Sequence, residues 1–546
     1  MDYTSYIFSN PPSDVNTPIL IDASKPERRL TWKEYASGVK RVAVGLQSIG
    51  LREQECVALV AENDIYSAVL GDGVVAAGAI LASPPPNASR RELVAALQAA
   101  HVDWIFAEAS CLERVRAAAV ESGVGAERIL LFDPPDGEQG VQAELTDEQS
   151  RRSLSALSSS NEEKYSNPNT AKSPELLIAS RLFTSGTTGE AKAAEVSHTA
   201  TLQRLHDSTW SSGGFLKNLH FIGMHHVSGT TVRQRAAAAG HCSTIARVQD
   251  PTQIVDLIKR YQIQSTMLPP RTMIAISRLL QDGIRQKEDL DSLRLVNVGG
   301  SGIRNHALDE FKGMLHQEAV LQPVYGSTES GLVSRRQWTG SKEFSSEGFV
   351  GTIARTARVK IVDPETDRTL GHDVDGEICI TSEGVFNLYC GNEEATNSVF
   401  LFDPDGTRWL RTGDKGRLSA KNEVFVTGRY KEVFKVGTEE VAPVEVDSTL
   451  LDHPAVKDAA VVKTPDRNDP AYNEVKAYVV SESGVDVTPQ EIVNHVAENL
   501  SAHKAPTGGV SFTESIPRNA MKKVVRSDLE NIPTLPGSAE YLTVET

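Results

Sequence analysis

A run of serine, threonine and glycine residues that ends in a lysine is the first stretch of this chain that could do chemistry. The apolar segment 176–183 precedes it and predicts a β-strand, so that the small residues form the turn that follows. Glycine lets a backbone fold closely round an anion, and hydroxyl and N–H groups donate to phosphate oxygens. A solvated surface loop has the same composition. The residues concerned are Thr184, Ser185, Gly186, Thr187, Thr188, Gly189 and Lys192.

This loop does not have the Walker spacing of P-loop nucleotide hydrolases, because its glycines stand too close together and Ala193 follows Lys192. Two later apolar segments also end in glycine: Val-Gly-Gly-Ser-Gly at 298–302 and Val-Tyr-Gly-Ser-Thr-Glu-Ser at 324–330. In an open α/β sheet, ligands bind at the carboxyl ends of the strands, where glycine allows a close approach to the backbone. The three stretches therefore predict one ligand site at strand ends.

The elements that must position these residues alternate between short apolar strands and amphipathic helices. Thr31 is the predicted cap of a helix that Gly50 ends, and 57–60 reads as a buried strand. A helix of small residues is predicted from Ala68 to Ala82, and another helix from Leu112 to Ser122. This βαβ rhythm predicts an α/β sheet covered by helices.

The sequence pattern changes twice after this α/β region. Beyond Gly340 short strands alternate with turns, as in a small β-barrel, and from Tyr430 a separate module of strands and one helix begins. Between 137 and 175 the chain is polar and rich in Ser, Asn and Glu, which predicts a mobile surface excursion. At 546 residues the chain exceeds the size of a single core, so that two or more domains are expected.

Composition excludes several classes of partner. The formal net charge of -16, without a basic patch, disfavours nucleic acid and acidic membranes. Five scattered cysteines form no CxxC pair, which disfavours a disulfide framework or a zinc site and favours a reducing compartment. No apolar run is long enough to span a bilayer, and neither a secretory nor a peroxisomal signal is visible, so that a cytoplasmic protein is expected.

Taken together and in this order, the motifs resemble those of the adenylate-forming superfamily, which includes acyl- and aryl-CoA ligases, luciferases and the adenylation domains of peptide synthetases. The similarity is greatest to ligases of the 4-coumarate–CoA type and runs from Thr31 to Lys523. It implies an α/β fold, with a large N-terminal domain, 1–429, of helix-covered β-sheets and a small β-barrel. A small, mobile α+β domain, 430–546, would follow and carry the catalytic lysine.

The resemblance also assigns the ATP site. The loop Thr184–Lys192 would hold the β- and γ-phosphates, Tyr325 with Gly326 would lie against adenine, and Thr328 would donate to the α-phosphate. Glu329 would bind Mg²⁺, for which a hard oxygen donor is suited. Further positions that match cofactor or pocket residues of the family are Asp414 and Arg429 at the ribose, and Gly299 and Gly300 beside the acyl pocket.

The remaining family positions concern the acid and the thiol. Lys523 matches the catalytic lysine that bridges the carboxylate and the α-phosphate, and Lys431 matches the hinge about which the small domain rotates. That rotation would withdraw Lys523 and present Lys435 and Gly437 to a pantetheine thiol. His226 fits a position between the acyl pocket and the thiol channel. The other expected pocket residues are Val227, Ser228, Ser301, Ser327 and Val333.

The sequence departs from the family pattern at three points. Ala191-Lys192-Ala193 replaces Pro-Lys-Gly in the phosphate loop, and Lys522 replaces the glycine before the catalytic lysine. The stretch 225–228 lacks the aspartate that pairs with an α-amino group, which disfavours amino acids as substrates.

The function that the resemblance implies is an acid–thiol ligase that uses ATP, Mg²⁺ and CoA. A stand-alone enzyme that loads a separate carrier protein, a nucleotide-binding protein without catalysis, and a luciferase-like oxygenase are the alternatives. The identity of the carboxylic acid stays open.

Overall fold

The first of two large sheets lies in the N-terminal part of the chain. The computed structural model describes residues 1–135, 152–185, 191–209, 216–335, 337–339, 348–437, 439–467, 469, 472–519 and 522–544. Six strands form this sheet, parallel except for the last pair, which is an antiparallel hairpin. In spatial order they are Ile129–Leu131, Trp104–Ala107, Cys56–Val60, Ile80–Ala82, Ile178–Ser185 and Ala191–Ser197.

Capping and turn residues delimit the helices that cover this sheet. Thr31 begins the helix Trp32–Ser48 with a capping box, in which its hydroxyl accepts from the Glu34 N–H and Glu34 reaches back to the Thr31 N–H. Gly50, with φ +97°, ends this region in a conformation that favours glycine. The other helices of the N-terminal half are Tyr3–Ser9, Ile65–Ala76, Arg90–Ala99, Leu112–Ser122, Leu154–Leu157, His198–Thr209 and Val227–Ala239.

One predicted helix is wrong in extent. The small-residue helix expected from Ala68 to Ala82 runs from Ile65 to Ala76, and Ile80–Ala82 is a strand of the first sheet. Gly78, at φ +86°, separates them, since a residue in the left-handed region turns the chain out of the helix.

The second sheet combines a parallel and an antiparallel part. The parallel strands meet the antiparallel ones through Val320–Ser327, which pairs with a parallel neighbour on one side and an antiparallel one on the other. An edge strand, Arg29–Thr31, pairs antiparallel with Pro18–Asp22. The strands of the parallel part are, in spatial order, Pro18–Asp22, Ser243–Ile245, Asn218–His220, Ser265–Leu268, Leu295–Val298 and Val320–Ser327. Its helices are Pro251–Tyr261, Pro270–Gln281 and Asn305–Lys312.

The antiparallel part occupies the region that was predicted as a small β-barrel. It continues the parallel part directly, because the strand Val320–Ser327 pairs with both parts. Its strands are Gly331–Arg335, Phe349–Ile353, Glu423–Arg429, Arg408–Leu418, Gly376–Thr381 and Arg358–Val362, with Phe400–Phe402 beside Arg408–Leu418 and the short helix Glu393–Asn397.

The C-terminal part has a core of its own, built from valine, alanine and isoleucine side chains of 441–512. Its described residues form a three-stranded sheet, a two-stranded hairpin and two α-helices. These elements are Val456–Pro465, Asn473–Ser481 and Gly509–Phe512 in the sheet, Phe434–Val436 and Glu439–Val441 in the hairpin, and the helices Pro443–Leu451 and Pro489–Asn499. The mixed α/β architecture with a separate C-terminal unit confirms the predicted fold class.

Arginines of the N-terminal part hold the C-terminal unit in place. Arg278 donates to the carbonyls of Val456 (2.7 Å) and Leu451 (2.8 Å) and to the carboxylate of Glu482 (2.7 Å). Arg271 forms an ion pair with Asp458 at 2.7 Å. These contacts define one relative orientation of the two units. None of the helices in the described residues is long and apolar enough to cross a membrane.

Candidate active site

The side chains at the nucleotide end of the predicted site form a closed polar network. Asp414 and Arg429 are cross-strand partners, and Arg429 Nε donates to Asp414 Oδ1 at 2.9 Å. Tyr325, from the shared strand, donates its hydroxyl to Asp414 Oδ2 at 2.6 Å. Burial raises the pKa of Asp414, whereas Arg429 and the Tyr325 hydroxyl oppose that rise. The carboxylate is therefore fixed between a cation and an aromatic ring.

The Thr328–Glu329 turn is held from behind by a buried arginine that sequence reasoning missed. Arg204 Nη2 donates to the carbonyls of Thr328 (3.0 Å) and Glu329 (3.3 Å), and its Nε donates to Gly384 at 2.8 Å. Burial lowers the pKa of Arg204 to about 10, and the Glu329 carboxylate partly offsets this. The only sequence signal was a charged residue between the apolar positions of a helix, which is too common to assign a role.

A second missed residue, Tyr389, joins Glu329 to the phosphate loop. The Tyr389 hydroxyl donates to Glu329 Oε1 at 2.9 Å, and the ammonium of Lys192 lies 5.1 Å from the centroid of the Tyr389 ring. A cation over an aromatic face at this distance is attracted by the ring. The tyrosine thus fixes the expected metal ligand and the expected phosphate lysine relative to each other.

The phosphate loop connects the two strands of a hairpin rather than a strand and a helix. Thr184 and Lys192 are cross-strand partners at its base, and Thr184 is buried. Gly186, Thr187, Thr188 and Gly189 lie outside the described residues, as does the side chain of Ser185.

Lys523 reaches this network from the C-terminal unit. It follows a tight turn in which Lys523 N donates to Asn519 Oδ1 at 3.0 Å and Lys522 N donates to the Asn519 carbonyl at 2.8 Å. Lys522 has φ +63°, the left-handed region, which explains why glycine is usual there. Although Lys523 remains exposed, desolvation in the cleft and the charge of Arg429 lower its pKa, while Glu329 and other carboxylates oppose the shift.

His226 lies at the start of the helix Val227–Ala239 and is its N-cap residue. Its Nδ1 accepts from the backbone N–H of Ser228 at 3.3 Å and lies 3.0 Å from the Ser228 hydroxyl. Burial, followed by the charge of Lys523, lowers the pKa of His226 to about 4, so that the imidazole is neutral at pH 7. Val227 and Ser228 are partly exposed in the first turn of the helix.

The two glycines at the end of Leu295–Val298 are required for different reasons. A Cβ on Gly299 would lie 2.6 Å from Val324, whereas Gly300 has free space around it but adopts φ +102°, a conformation that favours glycine. Ser301 is exposed beside them, and Gly326 is exposed on the next strand. Ser327 is partly exposed in the turn, where its N–H donates to the Ser330 hydroxyl at 2.9 Å.

Two groups of predicted residues are not gathered at this site. Val333 is fully buried in the apolar core of the antiparallel sheet, because its strand position points inward, and it does not line the cleft. Lys431 and Lys435 are exposed, and Gly437, at φ +62°, turns the Phe434–Val436 hairpin. The side chain of Asn473 donates to the Lys435 carbonyl at 3.0 Å.

The site contains a buried aspartate that is paired with a tyrosine and an arginine, and a carboxylate at a glycine turn. The C-terminal unit adds a lysine. This set of groups is suited to a nucleotide and a carboxylic acid. Residues 10–390 match the profile of the AMP-binding enzymes, and residues 445–523 match the profile of their C-terminal domain. The chain belongs to the AMP-binding enzyme family.

Individual relatives are similar over nearly their whole length. A 4-coumarate–CoA ligase of Oryza sativa is 30% identical over 97% of this chain and 92% of that protein. A phenylacetyl-CoA ligase of Aspergillus niger is 28% identical over 97% of this chain and 96% of its own. The fold is shared with ATP-bound MatB from Rhodopseudomonas palustris, at a TM-score of 0.80 and 23% identity over 97% of this chain and 99% of that one.

Proposed function

We propose that the protein is an ATP-dependent acid–thiol ligase. A carboxylate oxygen of an organic acid attacks the α-phosphate of ATP, and the bond to pyrophosphate breaks, which gives an acyl-AMP. The thiol of CoA then attacks the acyl carbon, loses its proton and releases AMP. The similarity to a phenylacetyl-CoA ligase and a 4-coumarate–CoA ligase supports this reaction.

One observation carries the proposal: Lys523, on the C-terminal unit, lies within electrostatic range of both Glu329 and His226. With Glu329 assigned to the nucleotide end and His226 to the acyl end, the ammonium would stand where carboxylate and phosphate meet. Two anions repel each other as they approach. A fixed cation between them stabilises the charge that builds up in the transition state.

ATP would lie along the closed polar network. In this assignment the ribose hydroxyls bind Asp414, the adenine lies against Tyr325, and the β- and γ-phosphates bind the loop that ends in Lys192. Support comes from the hydrogen bonds that already fix Asp414 and from the position of Lys192 above Tyr389. The nucleotide would meet donors that need little rearrangement.

Mg²⁺ fits at Glu329. The carboxylate is partly exposed, and the Tyr389 hydroxyl fixes one oxygen, which leaves the other for a ligand. Mg²⁺ is usually bound by one or two carboxylates together with substrate phosphates and water. When bound, the ion would neutralise phosphate charge as pyrophosphate leaves.

The second half-reaction would require the C-terminal unit to move. We place the boundary between the domains at 429/430 and the hinge at Lys431, an exposed residue two positions after Arg429. Rotation would break the contacts of Arg278 and Arg271 and withdraw Lys523. The hairpin with Lys435 and Gly437 would then form part of the thiol channel, and neutral His226 would lie between acyl group and thiol.

The acceptor and the compartment belong to the proposal as well. Free CoA is preferred, with a carrier protein as the second candidate acceptor. The cytosol is the proposed compartment, since all five cysteines are buried and unpaired, as in a reducing environment.

The experiment incubates the protein with ATP, Mg²⁺ and a panel of carboxylic acids, with either CoA or a phosphopantetheinylated carrier protein, and detects thioesters by mass. The proposal expects acyl-CoA with at least one acid. Thioester on the carrier alone would favour the carrier-loading enzyme, and ATP binding without any acyl-AMP would favour a nucleotide-binding protein without catalysis.

A further inference from the structure

One helix face of the N-terminal part holds the first strand of the C-terminal sheet. On the helix Pro270–Gln281, Arg271 and Arg278 stand seven positions apart, which places them on the same face about 10 Å from each other. Arg278 donates to the carbonyl of Val456 at 2.7 Å, and Arg271 pairs with Asp458, two residues further along the strand, at 2.7 Å. The helix therefore contacts the strand at two successive points.

Asp458 binds two arginines, one from each unit. Its Oδ2 lies 2.7 Å from Arg271 Nη2, and its Oδ1 accepts from Arg518 Nη2 at 3.0 Å. The same Oδ1 accepts from the N–H of Ala459 at 2.9 Å. The aspartate is only 8% exposed, and hydrogen bonds between charged groups are stronger than neutral ones. Both oxygens are thus fixed by donors.

Arg518 extends this contact to the peptide group that precedes Lys523. Its Nη1 donates to the Lys522 carbonyl at 2.9 Å. The N–H of the same peptide group belongs to Lys523 and donates to Asn519 Oδ1 at 3.0 Å. Because a peptide group is planar, bonds at both of its ends fix its plane. The backbone from which the Lys523 side chain leaves is therefore held on both sides.

Main-chain hydrogen bonds join the two arms of the turn that carries Lys523, residues 517–519 and 522–525. The Asn519 N–H donates to the Lys523 carbonyl at 2.9 Å, and the Val525 N–H donates to the Pro517 carbonyl at 2.9 Å. These bonds connect the arms to each other, whereas Arg518 connects them to Asp458 on the sheet. Arg271, Asp458 and Arg518 form an Arg–Asp–Arg bridge from the N-terminal part to this turn.

The bridge begins beside the expected acyl pocket. Arg271 lies in the first turn of its helix, three residues after Leu268, which ends a parallel strand. The Leu268 carbonyl accepts from the N–H of Gly299 at 3.4 Å. The carboxyl ends of parallel strands are where an open α/β sheet binds its ligands. Arg271 is therefore anchored at the ligand end of the sheet.

We infer that Arg271, Asp458 and Arg518 are positioning residues that orient Lys523 for the adenylation step. The inference rests on the proposed function for the reaction and for the role of Lys523. The ion pair that docks the C-terminal unit also braces the turn with the lysine, so that docking and orientation of the ammonium are one event. The rotation proposed for the second half-reaction would break the Arg271 contact, and the bridge would then have no effect on thioester formation.

The exposure of Arg271 separates this role from simple docking. Its side chain is 40% exposed, and exposed ion pairs contribute little to stability. A weaker docking contact alone would therefore change the rate only slightly. A displaced catalytic group has a larger effect, because misplacement by about 1 Å can lower a rate by about 100-fold.

The first test compares R271M and R518M with R278M, a control that removes a docking contact of the same helix face. Acid-dependent pyrophosphate exchange measures adenylation, and thioester formation from supplied acyl-AMP and CoA measures the second step. We expect R271M and R518M to lower kcat of adenylation about 10- to 100-fold, with little change in KM for ATP. R271K, which keeps the cation, should retain most of the rate. Thermal unfolding and thioester formation show that each variant is folded.

Double variants show whether the arginines act together. R271M/R518M should be hardly slower than R518M, because both arginines act through Asp458, whereas the effects of R278M and R518M should multiply. Effects of R271M and R518M that multiply, a loss in R278M equal to that in R271M, or an equal loss in both half-reactions would overturn the inference. The ligase reaction itself would remain in each case.

Hydrogen exchange tests the bridge without any reaction. In the full-length protein without substrates, the amides of 517–525 should exchange about 10-fold faster in R271M and R518M than in wild type or R278M, because the turn loses its brace. Unchanged exchange in R271M overturns the inference whether or not the protein is a ligase. A wild-type protein that forms no acyl-AMP with any acid overturns the proposed function instead.

Discussion

The two ends of the candidate site differ in how completely their polar groups are paired. At the nucleotide end, Asp414 has Arg429 and Tyr325, and Glu329 has Tyr389. At the acyl end, the buried His220 has a ring nitrogen, Nε2, without a partner among the described residues. At the nucleotide end, the carboxylates of Asp414 and Glu329 are held in place, although Arg204 Nη1, behind the turn, has no partner among the described residues. The nucleotide end is therefore the more preorganised of the two, as suits a ligand that stays constant.

Removal of the lysine that links the two ends should have the largest effect. K523A is expected to lower acyl-AMP formation by about 10²- to 10³-fold, because a positioned charge donor contributes that much to a transition state. Acid-dependent exchange of pyrophosphate into ATP measures this step. Thioester formation from supplied acyl-AMP should change little, and K522A serves as the matched control. Exchange at the wild-type rate by K523A would show that Lys523 does not act between the two ends, and would contradict its assignment as the catalytic lysine.

Loss of one bond at the nucleotide end should have a smaller effect. Y389F keeps the ring beneath Lys192 but removes the hydroxyl that donates to Glu329, and a hydrogen bond to a charged group contributes about 1.5–3 kcal/mol. We expect kcat to fall about 10-fold and the Mg²⁺ concentration for half-maximal rate to rise. Y165F, which alters a remote, partly buried tyrosine, is the control. An unchanged Mg²⁺ response would show that Tyr389 does not position Glu329.

The incomplete pairing at the acyl end should make it sensitive to acid. The folded-state pKa of His220, about 3, lies below the usual value of 6.5. The stability that this neutral histidine contributes is present above pH 6.5 and is lost as the pH falls toward 3, since the unfolded chain takes up the proton first. Between pH 7 and 5 the loss from His220 is about 2 kcal/mol.

Denaturant unfolding of wild type and H220Q at pH 7 and pH 5 measures the stability that is lost through His220. H220Q should lose less stability over that interval than wild type. Equal losses in both proteins would mean that His220 is protonated in the fold, and the acyl end would then carry a further charge.

The smallest effect is expected at Lys522, whose charge acts on the acyl end only through His225 among the described residues. Because Lys522 adopts φ +63°, K522G should relieve the backbone and stabilise the C-terminal unit by about 0.5–1 kcal/mol. The measurement is the unfolding midpoint, with K504G, at a residue that pairs with Glu445, as a contrasting variant that should destabilise. A lower midpoint for K522G would show that the Lys522 side chain stabilises the turn.

Local signals made much of the fold predictable. The Thr31 capping box, the stop at Gly50 and the helix Leu112–Ser122 follow from short-range chemistry, and the structure has all three. The family and the fold class followed from motif order. The helix from Ala68 was predicted too long because the run of small residues concealed the left-handed turn at Gly78.

The parts of the site that could not be predicted depend on contacts between distant residues. Arg204 reaches Thr328 across 124 positions, and Tyr389 reaches Glu329 across 60. Val333, a predicted pocket residue, lies in the core of the antiparallel sheet, and the sequence could not show this because the side to which a strand residue points depends on its partner strands.

Acid-dependent ATP–pyrophosphate exchange by the wild-type protein and by K523A, with a panel of carboxylic acids, tests most directly whether both ends belong to one active site. We predict no exchange without acid, and exchange with at least one acid that K523A lowers by about 10²- to 10³-fold. Exchange that is independent of the acid, or absent with every acid, would contradict a site in which the two ends meet at Lys523.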